Sequence, residues 1–387
     1  MNTARTVLAQ LLAIVPFAHF EHLVDNYQAN RWTRGFTAWS HLICMVYAQL
    51  TRREGLRDLV DCLNSQGPKL YHVGLRQRVS RSTLADANER RSAELFEALG
   101  KHLIAMALAQ YQDEDIGLGL KEPLYAMDST TVDLCLKLFP WADFRSTKAG
   151  IKAHTAIDLR GAIPVMLSIT TAKVSDVFML DSLRLPAGSI VVLDRGYVDF
   201  ARLQRLVQRE CSFVVRAKAN LSFRCIQAHP GDAKAGVWSD QTIALAGQRA
   251  SKDCPGALRR VRFYDASTCL ELVFLSNRLD LPPLTIAAIY KQRWQIELFF
   301  KWLKQNLCIQ HFFGNSFNAV KSQIWIAVCA YLLALIAHRP FRDQLSLRNF
   351  LHLLEVNMFE KITLAQMVAN SIRSQEPDPS PLQSELF

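Results

Sequence analysis

Three acidic residues of this chain stand at positions where a carboxylate is costly. Asp128 lies in LYAMDST after residues that would bury well, and Asp194 ends the apolar run IVVLD. Glu297 lies in IYKQRWQIELFFKWLKQNL, residues 289–307. A carboxylate among apolar residues destabilises a fold unless it is paired or binds a cation. Taken singly, each acid has an ordinary explanation: a turn bonded by an aspartate, an aspartate near a helix N-terminus, or i,i+4 ion pairs on a solvated face.

The segment 289–307 is predicted to be a helix with a narrow polar stripe. Polar residues recur there at intervals of three and four, and at roughly 100° per residue they fall within about 80°. The stripe consists of Tyr290, Arg293, Glu297, Lys301 and Lys304. Apolar residues flank it on both sides, Ile296, Phe299, Phe300 and Leu303 on one and Trp294 and Leu298 on the other. We expect a helix that packs on a sheet and turns this stripe towards a cleft.

Together, three carboxylates from two strand ends and a facing helix could hold two divalent cations. Mg²⁺ prefers a few carboxylates together with phosphate oxygens of a substrate. Two such ions can activate a water or a 3′-hydroxyl and stabilise the departing 3′-oxygen when a phosphodiester is displaced. Arg293, Lys301 and Lys304, with Lys152 and Arg195 as further candidates, would then bind backbone phosphates.

The sequence offers little support for other chemistries. GDAKAG (231–236) departs from the phosphate-binding loop pattern, HFEH (19–22) lacks the spacing of H-E-x-x-H, and no G-x-S-x-G occurs. His154 stands in an alternating strand, where a structural role is favoured. The nine cysteines include no C-x-x-C, which argues against a disulfide framework and a structural zinc site and fits a reduced, cytoplasmic compartment.

The composition indicates a globular protein with a polyanionic partner. The 387 residues are 50% hydrophobic and carry a formal net charge of +10. Such a balance favours nucleic acid or an anionic membrane surface. The longest apolar run, 324–337, has 14 residues, whereas a membrane span needs about 20. We therefore expect a buried helix there and no membrane association.

The order of the predicted elements indicates helices followed by an α/β layer with a mixed sheet. Helical periodicity covers residues 1–112, and short β-type runs begin at 124, 151, 163, 189 and 212, with helical stretches near 176–184 and 199–210. Further helices are predicted at 318–338 and 346–369. The predicted domains are a helical N-terminal domain (1–115), a catalytic domain (120–217 with 285–355), a β-rich insertion (218–284), and a C-terminal helix with a disordered tail (356–387).

At this point the residues resemble the DDE transposases of bacterial insertion sequences, in the branch named for insertion sequence four. The marker is Y-x2-R-x3-E-x6-K, which Tyr290, Arg293, Glu297 and Lys304 match without deviation. YAMDSTT and LDRGY place Asp128 and Asp194 in the contexts of the family's first two acids. The helical N-terminal stretch also looks like the region that precedes the catalytic domain in a subgroup of this family.

The resemblance implies an RNase H-like catalytic core, interrupted by the β-rich insertion. It implies cut-and-paste transposition through a site with two Mg²⁺ ions, for which Mn²⁺ could substitute, held by Asp128, Asp194 and Glu297. Excision in this branch is similar to a nick followed by closure of a hairpin on the element end. Tyr290, Arg293 and Lys304 would bind phosphates near the cleaved end. Trp238, in the insertion, is a candidate to receive a flipped base, although local packing explains it slightly better.

A basic segment in the N-terminal region is a candidate DNA reader. Residues 62–85 contain no acid, and Arg76, Arg78 and Arg81 stand there. A helix at 80–91, following LRDLVDCLNS, could form a helix-turn-helix-like unit whose second helix enters the major groove. A solvated basic face, or a linker that contacts only phosphates, is the favoured alternative, because 66–79 is long for a tight turn.

The expected partners are double-stranded DNA, as terminal inverted repeats and target, and a second copy of the chain, because two ends must be joined. A bacterial cytoplasmic, nucleoid-associated location follows. Two other functions stay open. One is a transposase-derived DNA-binding regulator without catalysis, which the three intact acids oppose. The other is an RNase H-like nuclease that only cleaves, which the long basic N-terminal region and the insertion make less favoured.

Overall fold

The computed structural model describes residues 5–31, 33–145, 148–306 and 311–373. The tail 374–387, which the sequence predicts to be disordered, lies outside this part of the chain. Two compact units make up the protein: residues 1–107 with 303–387, and residues 108–302. The domain boundaries predicted from the sequence stay predictions.

In chain order the helices are α1 (Val7–Leu12), α2 (Phe17–Asn26), α3 (Ala38–Leu50), α4 (Leu56–Ser65), α5 (Arg81–Arg90), α6 (Ala93–Tyr111), α7 (Phe200–Gln208), α8 (Gln248–Asp253), α9 (Pro283–Lys291), α10 (Trp294–Asn306), α11 (Phe317–His338), α12 (Leu347–Asn357) and α13 (Leu364–Arg373). The strands are β1 (Leu124–Leu134), β2 (Asp143–Arg145), β3 (Lys148–Asp158), β4 (Ile163–Thr171), β5 (Ile190–Leu193), β6 (Ser212–Arg216), β7 (Phe223–His229), β8 (Val237–Leu245), β9 (Leu258–Asp265) and β10 (Leu270–Ser276).

Helix α11 forms the centre of the first unit. Nearly all of its residues are buried, and α3, α5 and α12 pack against it. It is long and apolar enough to cross a membrane by composition alone, but 94% of its most apolar window is buried inside the chain. Gly100 of α6 lets the Trp325 ring approach so closely that a Cβ would lie 2.7 Å from it. The predicted buried helix at 318–338 is therefore confirmed.

The prediction of a single helix at 346–369 is wrong, because two helices, α12 and α13, share this stretch. Thr363 and Gln366 form a reciprocal capping box, with each side chain accepting from the other's backbone N–H at 3.1 and 2.9 Å. Such a box starts a new helix. In the gap, the carbonyls of Met358 and Glu360 accept bonds from the first turn of α1, so the interrupted backbone remains hydrogen-bonded.

The second unit is built on one mixed sheet of ten described strands, in the order β2-β3-β1-β5-β6-β10-β9-β8-β7, with β4 paired to β3 along the same edge as β2. β1, β3 and β4 pair antiparallel, whereas β1, β5 and β6 pair parallel. Three antiparallel strands followed by two parallel ones is the arrangement of an RNase H-like core. β7 to β10 extend the sheet from the edge of β6, so both the predicted core and the β-rich insertion are confirmed.

Helix α7 packs on one face of the sheet, over side chains of the central strands. Leu193 and Phe213 have no exposed surface, and Leu203 of α7 packs into the same cluster. Both faces of β5 are covered, since all four of its residues are buried. A continuous apolar run is typical of a central parallel strand, and such a strand holds the residue that follows it firmly at the sheet edge.

The predicted helix 289–307 is interrupted, which corrects the sequence interpretation. α9 ends at Lys291 and α10 begins at Trp294. Around the junction the backbone uses three-residue bonds, from Arg293 N–H to the Tyr290 carbonyl and from Ile296 N–H to the Arg293 carbonyl. These tighter turns rotate the chain by more than 100° per residue. The uniform stripe inferred from helical spacing therefore does not continue from Tyr290 to Glu297.

Candidate active site

Asp128 and Asp194 stand at neighbouring positions on two parallel strands. The register pairs Met127 of β1 with Leu193 of β5, so the next residue on each strand is an aspartate. Adjacent strands lie roughly 4.8 Å apart. Two carboxylates are thereby brought together where β5 ends, at the edge where ligand sites of α/β sheets gather.

The side chains of the two aspartates do not make the bonds of a strand-end turn or a helix cap. Asp128 lies inside β1, which continues to Leu134, and accepts a bond from Ser129 N–H at 2.8 Å. Asp194 precedes the short turn Arg195–Tyr197 but makes no side-chain cap bond there. It accepts instead from the Tyr290 hydroxyl, over a long 3.3 Å. The hydrogen bond from Tyr290 engages only one of the two carboxylate oxygens of Asp194.

Arg293 joins the acid on the helix to the acid on the sheet. Its Nη1 donates to Asp128 at 3.1 Å and its Nη2 to Glu297 at 2.5 Å. Its guanidinium carbon lies 5.7 Å from the centre of the Tyr290 ring, and that ring packs on Phe274 at 4.7 Å. The break between α9 and α10 allows this arrangement, because Arg293 sits in the break with its side chain largely buried.

Negative charge is crowded at Asp128. Burial raises its pKa from 3.8 to about 6, and the nearby carboxylates of Asp194 and Glu297 add to the rise, against the opposing effects of the Ser129 N–H and Arg293. A carboxylate with a raised pKa favours either a proton or a cation beside it. Hard oxygen ligands of this kind suit Mg²⁺, so the donor set fits a divalent metal.

The three acids do not meet as a ready-made ion site in the described part of the chain. Among those residues, no three His, Cys, Asp or Glu side chains are placed to hold one ion. The Arg293 guanidinium lies between Asp128 and Glu297 and supplies the compensating charge. For all three carboxylates to share metal ions, Glu297 must exchange its bond to Arg293 for a metal ligand bond. Its side chain is 56% exposed and can move.

Apolar residues flank the polar stripe on both sides in the sequence, but only one of the two flanks is buried. Ile296, Phe299, Phe300 and Leu303 are buried, but Trp294 and Leu298 are 51% and 43% exposed. α10 therefore buries one face only. Glu297 and Lys301 lie on its open side.

Sequence reasoning missed Asp176, which forms a polar cluster beside the acids. Asp176 accepts from the Ser129 hydroxyl at 2.7 Å and the Lys152 ammonium at 3.1 Å, and lies 3.4 Å from His154 Nδ1. Ser129 directly follows Asp128 on β1, and Lys152 lies on β3, which pairs with β1. His154 is fully buried, and its Nε2 bonds Thr170 at 2.8 Å, in keeping with a structural role. The pattern DSTT, with a hydroxyl next to the acid, was the available signal.

Tyr197 was also missed, although it stands three residues after Asp194 in LDRGY. It is buried, and its hydroxyl has no hydrogen-bond partner among the described residues. Burial raises the pKa of this hydroxyl, and the charges of Asp128, Asp176 and Asp194 raise it further. A neutral phenol thus lies among the carboxylates, where it can donate a bond but adds no charge.

The remaining predicted DNA contacts are accessible, and their roles stay predictions. Lys301 is exposed and Lys304 half-buried on α10. Trp238 on β8 is 45% exposed and stacks on Tyr264, with ring centres 5.0 Å apart. The Arg262 guanidinium also lies 5.1 Å from the Trp238 ring, which supports the packing explanation for this tryptophan.

Arg76, Arg78 and Arg81 are all exposed in the first unit. A 3₁₀ helix, Gly67–Val73, lies between α4 and α5, so the connection is not a tight turn. The Asn64 side chain fixes the end of that connection by bonding both the N–H and the carbonyl of Val79, at 3.0 and 2.9 Å. Groove reading by α5 stays a prediction.

Comparison with known proteins gives the family. Residues 119–333 match the family model described as the transposase DDE domain, and residues 3–76 match a domain of unknown function. A Sinorhizobium fredii protein named as the transposase y4zB is 34% identical over 73% of this chain and 78% of its own length. A Synechocystis protein named as a transposase for insertion sequence element IS4SA is 25% identical over 74% and 80%.

Among solved structures, the piggyBac transposase synaptic complex with hairpin DNA aligns with 98% of this chain and 84% of its own, at 11% identity and a TM-score of 0.46. Family membership rests on the family model and the sequence relatives. The matched domain covers all three acids and the Tyr290–Lys304 pattern, and implies a DNA-binding, divalent-metal-dependent nuclease and strand transferase. The chain belongs to the DDE transposases of bacterial insertion sequences.

Proposed function

We propose that Asp128, Asp194 and Glu297 hold two Mg²⁺ ions, replaceable by Mn²⁺, and that the chain excises its own element by cut-and-paste transposition through hairpin ends. The observation that carries this proposal is the pairing of Met127 with Leu193, which sets two aspartates side by side. Glu297 is tied to the first of them through Arg293. The family supplies the reaction, and this geometry supports the choice of residues.

The bound ions would supply polarisation of the scissile phosphate, acidity of the attacking water and stabilisation of the leaving oxygen. Asp128 and Asp194 provide fixed oxygens, because β1 and β5 are central strands with little freedom. Glu297 provides the mobile third carboxylate. When it turns away from Arg293, the guanidinium keeps its planar fork and can donate two parallel bonds to a phosphate. Tyr290 and Lys304 add further phosphate contacts.

Excision then proceeds by two displacements. In the first, a water oxygen bonds to phosphorus, the P–O3′ bond breaks, and the 3′-oxygen leaves with a proton. In the second, the freed 3′-hydroxyl loses its proton and attacks the phosphorus of the opposite strand, whose own 3′-oxygen departs on the flanking DNA. The product is a hairpin on the element end. The resemblance to the insertion sequence four branch suggests this order.

The decisive experiment incubates the full chain and Mg²⁺ with labelled DNA carrying one terminal repeat and its flank. Hairpin-ended product on a denaturing gel is expected. A nick or double-strand break without hairpin or joined product would favour a nuclease that only cleaves. Binding without cleavage in Mg²⁺ and Mn²⁺ would favour a regulator.

We also propose that two copies act together on the two element ends. The reason for this proposal is the reaction itself, because both ends of the element must be joined. Sizing the complex with one and with two repeat-bearing DNAs tests it. A complex of one chain with one DNA that still completes excision would contradict dimer action.

A further inference from the structure

A second basic site lies in the helical first unit. A cavity of about 560 Å³ opens between α5 and the segment that follows α2. Its described walls carry four arginines and one aspartate, namely Arg31, Arg34, Arg90, Arg91 and Asp86. Two arginines come from each wall, so positive charge faces the cavity from both sides.

Arg91 is the unusual member of this set. It is only 6% exposed, and its Nε and Nη2 donate to the carbonyls of Ala29 and Phe36 at 2.9 and 3.0 Å. Its third nitrogen, Nη1, is buried without a partner among the described residues. Burial lowers its pKa from 12.5 to about 10. A buried cation without a counter-ion is costly, and an anion bound beside it would offset that cost.

The helix end explains part of the arrangement but not all of it. Cations near a helix C-terminus interact favourably with its dipole, which accounts for Arg90 at the end of α5. The two carbonyl bonds give Arg91 a structural task as well. The helix dipole and the two carbonyl bonds do not explain Arg34, which is exposed on the opposite wall. They also leave Nη1 of Arg91 without a hydrogen-bond partner among the described residues.

The cavity walls also suit more than a bare ion. Tyr27 and Phe36 line it with aromatic surface, and Arg31 is oriented there by a 2.9 Å bond to the Gln28 side chain. A phosphodiester brings a charged group for the arginines and a sugar for the apolar walls. α5 carries exposed Arg81 at its other end, so DNA along this helix would pass the cavity.

We propose that this cavity binds a backbone phosphate of DNA, beside α5, and thereby anchors the first unit on the element end. The proposal rests on the proposed function, since it takes DNA as the ligand. A free phosphate or a phosphorylated small molecule presents the same chemistry, and the experiment separates these sources.

The test compares full-length wild type with the double variant Arg34→Gln/Arg90→Gln, whose two positions are exposed and whose folding is checked by its thermal transition. Arg348→Gln, exposed on α12 of the same unit, is the matched control. Ethylation interference on repeat DNA should show at least one phosphate whose ethylation weakens wild-type binding but not binding of the double variant. The slope of log Kd against log salt should fall by about 0.9 for each phosphate that the double variant no longer neutralises, and less for the control.

Arg91→Lys, checked for folding by its thermal transition, should reproduce the same change in interference. A parallel arm measures the thermal transition in inorganic phosphate against chloride at equal ionic strength. Inorganic phosphate could raise the thermal transition of wild type but not of the double variant, while the two proteins show the same salt slope and the same ethylation interference on DNA. This result would assign the cavity to a small phosphorylated ligand and overturn the proposal. The proposal would also be overturned if the double variant matched wild type in ethylation interference and in salt slope. In that case, cleavage of DNA by wild type would leave the proposed function standing. Absence of all DNA binding and cleavage by wild type would overturn both.

Discussion

Asp128 and Asp194 are held side by side by strand register: each directly follows one member of the pair Met127–Leu193 on parallel strands. We expect Asp128→Asn or Asp194→Asn to lower metal-dependent cleavage by at least about 10³-fold, since each removes a charged ligand. Binding to repeat DNA should change little. Cleavage gels and binding titrations at one salt concentration measure the two effects.

The matched control is Asp133→Asn, an exposed residue of the same strand. It should retain wild-type cleavage. If Asp128→Asn or Asp194→Asn also retained it, that residue would be removed from the active site.

Glu297→Gln should abolish cleavage without unfolding the protein, because its side chain is more than half exposed. The thermal transition should move by no more than a few degrees, since exposed ion pairs contribute about 0–1 kcal/mol. Glu271→Gln makes the same chemical change at the Arg262 ion pair of the insertion and should leave cleavage intact. Equal activity of Glu297→Gln and Glu271→Gln would rule out a metal-binding role for Glu297.

Much of the fold could be predicted because the determining signals are local. The apolar runs of β1, β5, β6 and α11 and the periodicity of α4 are legible without tertiary information. The break at Arg293 was not predicted, and the contact that it allows, from the Arg293 guanidinium to Asp128, joins two elements far apart in the sequence. The same limit hid the exposure of Trp294. The split between α12 and α13 does have a local signal, the capping box of Thr363 and Gln366, which the sequence interpretation overlooked.

The candidate acids and their neighbours Tyr290 and Arg293 were found from context, but Asp176 and Tyr197 were not. Asp176, 48 residues beyond Asp128, joins Ser129 and Lys152 only because β1 and β3 pair. Tyr197 becomes notable only once its hydroxyl is seen to be buried without a partner among the described residues. Arg91 is similar, since burial alone distinguishes it from the exposed arginines around it.

Arg293→Ala tests whether this guanidinium stands in for metal charge. Removing it leaves Asp128 and Glu297 without their bonded cation, so the apo protein should bind Mn²⁺ or Tb³⁺ more tightly, by about 3- to 10-fold if roughly 1 kcal/mol of competition is removed. Binding to repeat DNA should weaken. Tb³⁺ luminescence without DNA is the measurement, with Lys301→Ala as control. Weaker cation binding by Arg293→Ala would show that Arg293 organises the acids and does not compete with metal.

Lys304 and Lys301 share α10 but differ in the family pattern, which includes only Lys304. Lys304→Ala should weaken DNA binding, reduce the salt slope by about 0.9 and slow hairpin closure. Lys301→Ala should do less in each measurement. Equal effects would show that the two lysines act through general charge, and no effect from either would count against a phosphate role for Lys304.

The buried His41 gives the first unit a defined response to acid. Burial, reinforced by Arg91, lowers its pKa from 6.5 to about 3, although its Nε2 bonds Asn88 at 2.7 Å. Because the folded-state pKa is depressed, the unfolded chain takes up the proton first. The stability that depends on neutral His41 is complete above pH 6.5 and is lost as the pH falls towards 3, at up to about 1.4 kcal/mol per pH unit.

His41→Gln should keep a donor near Asn88 and remove this titration. Its free energy of unfolding should be lower than wild type at pH 8, because the variant lacks the packing of the His41 ring on Phe96, and should vary less between pH 6.5 and 4. Denaturant unfolding across that range measures the difference, with His22→Gln, exposed on α2, as control. If His41→Gln kept the full wild-type pH dependence, the acid sensitivity would lie in another group, because a glutamine cannot take up the proton that neutral His41 excludes.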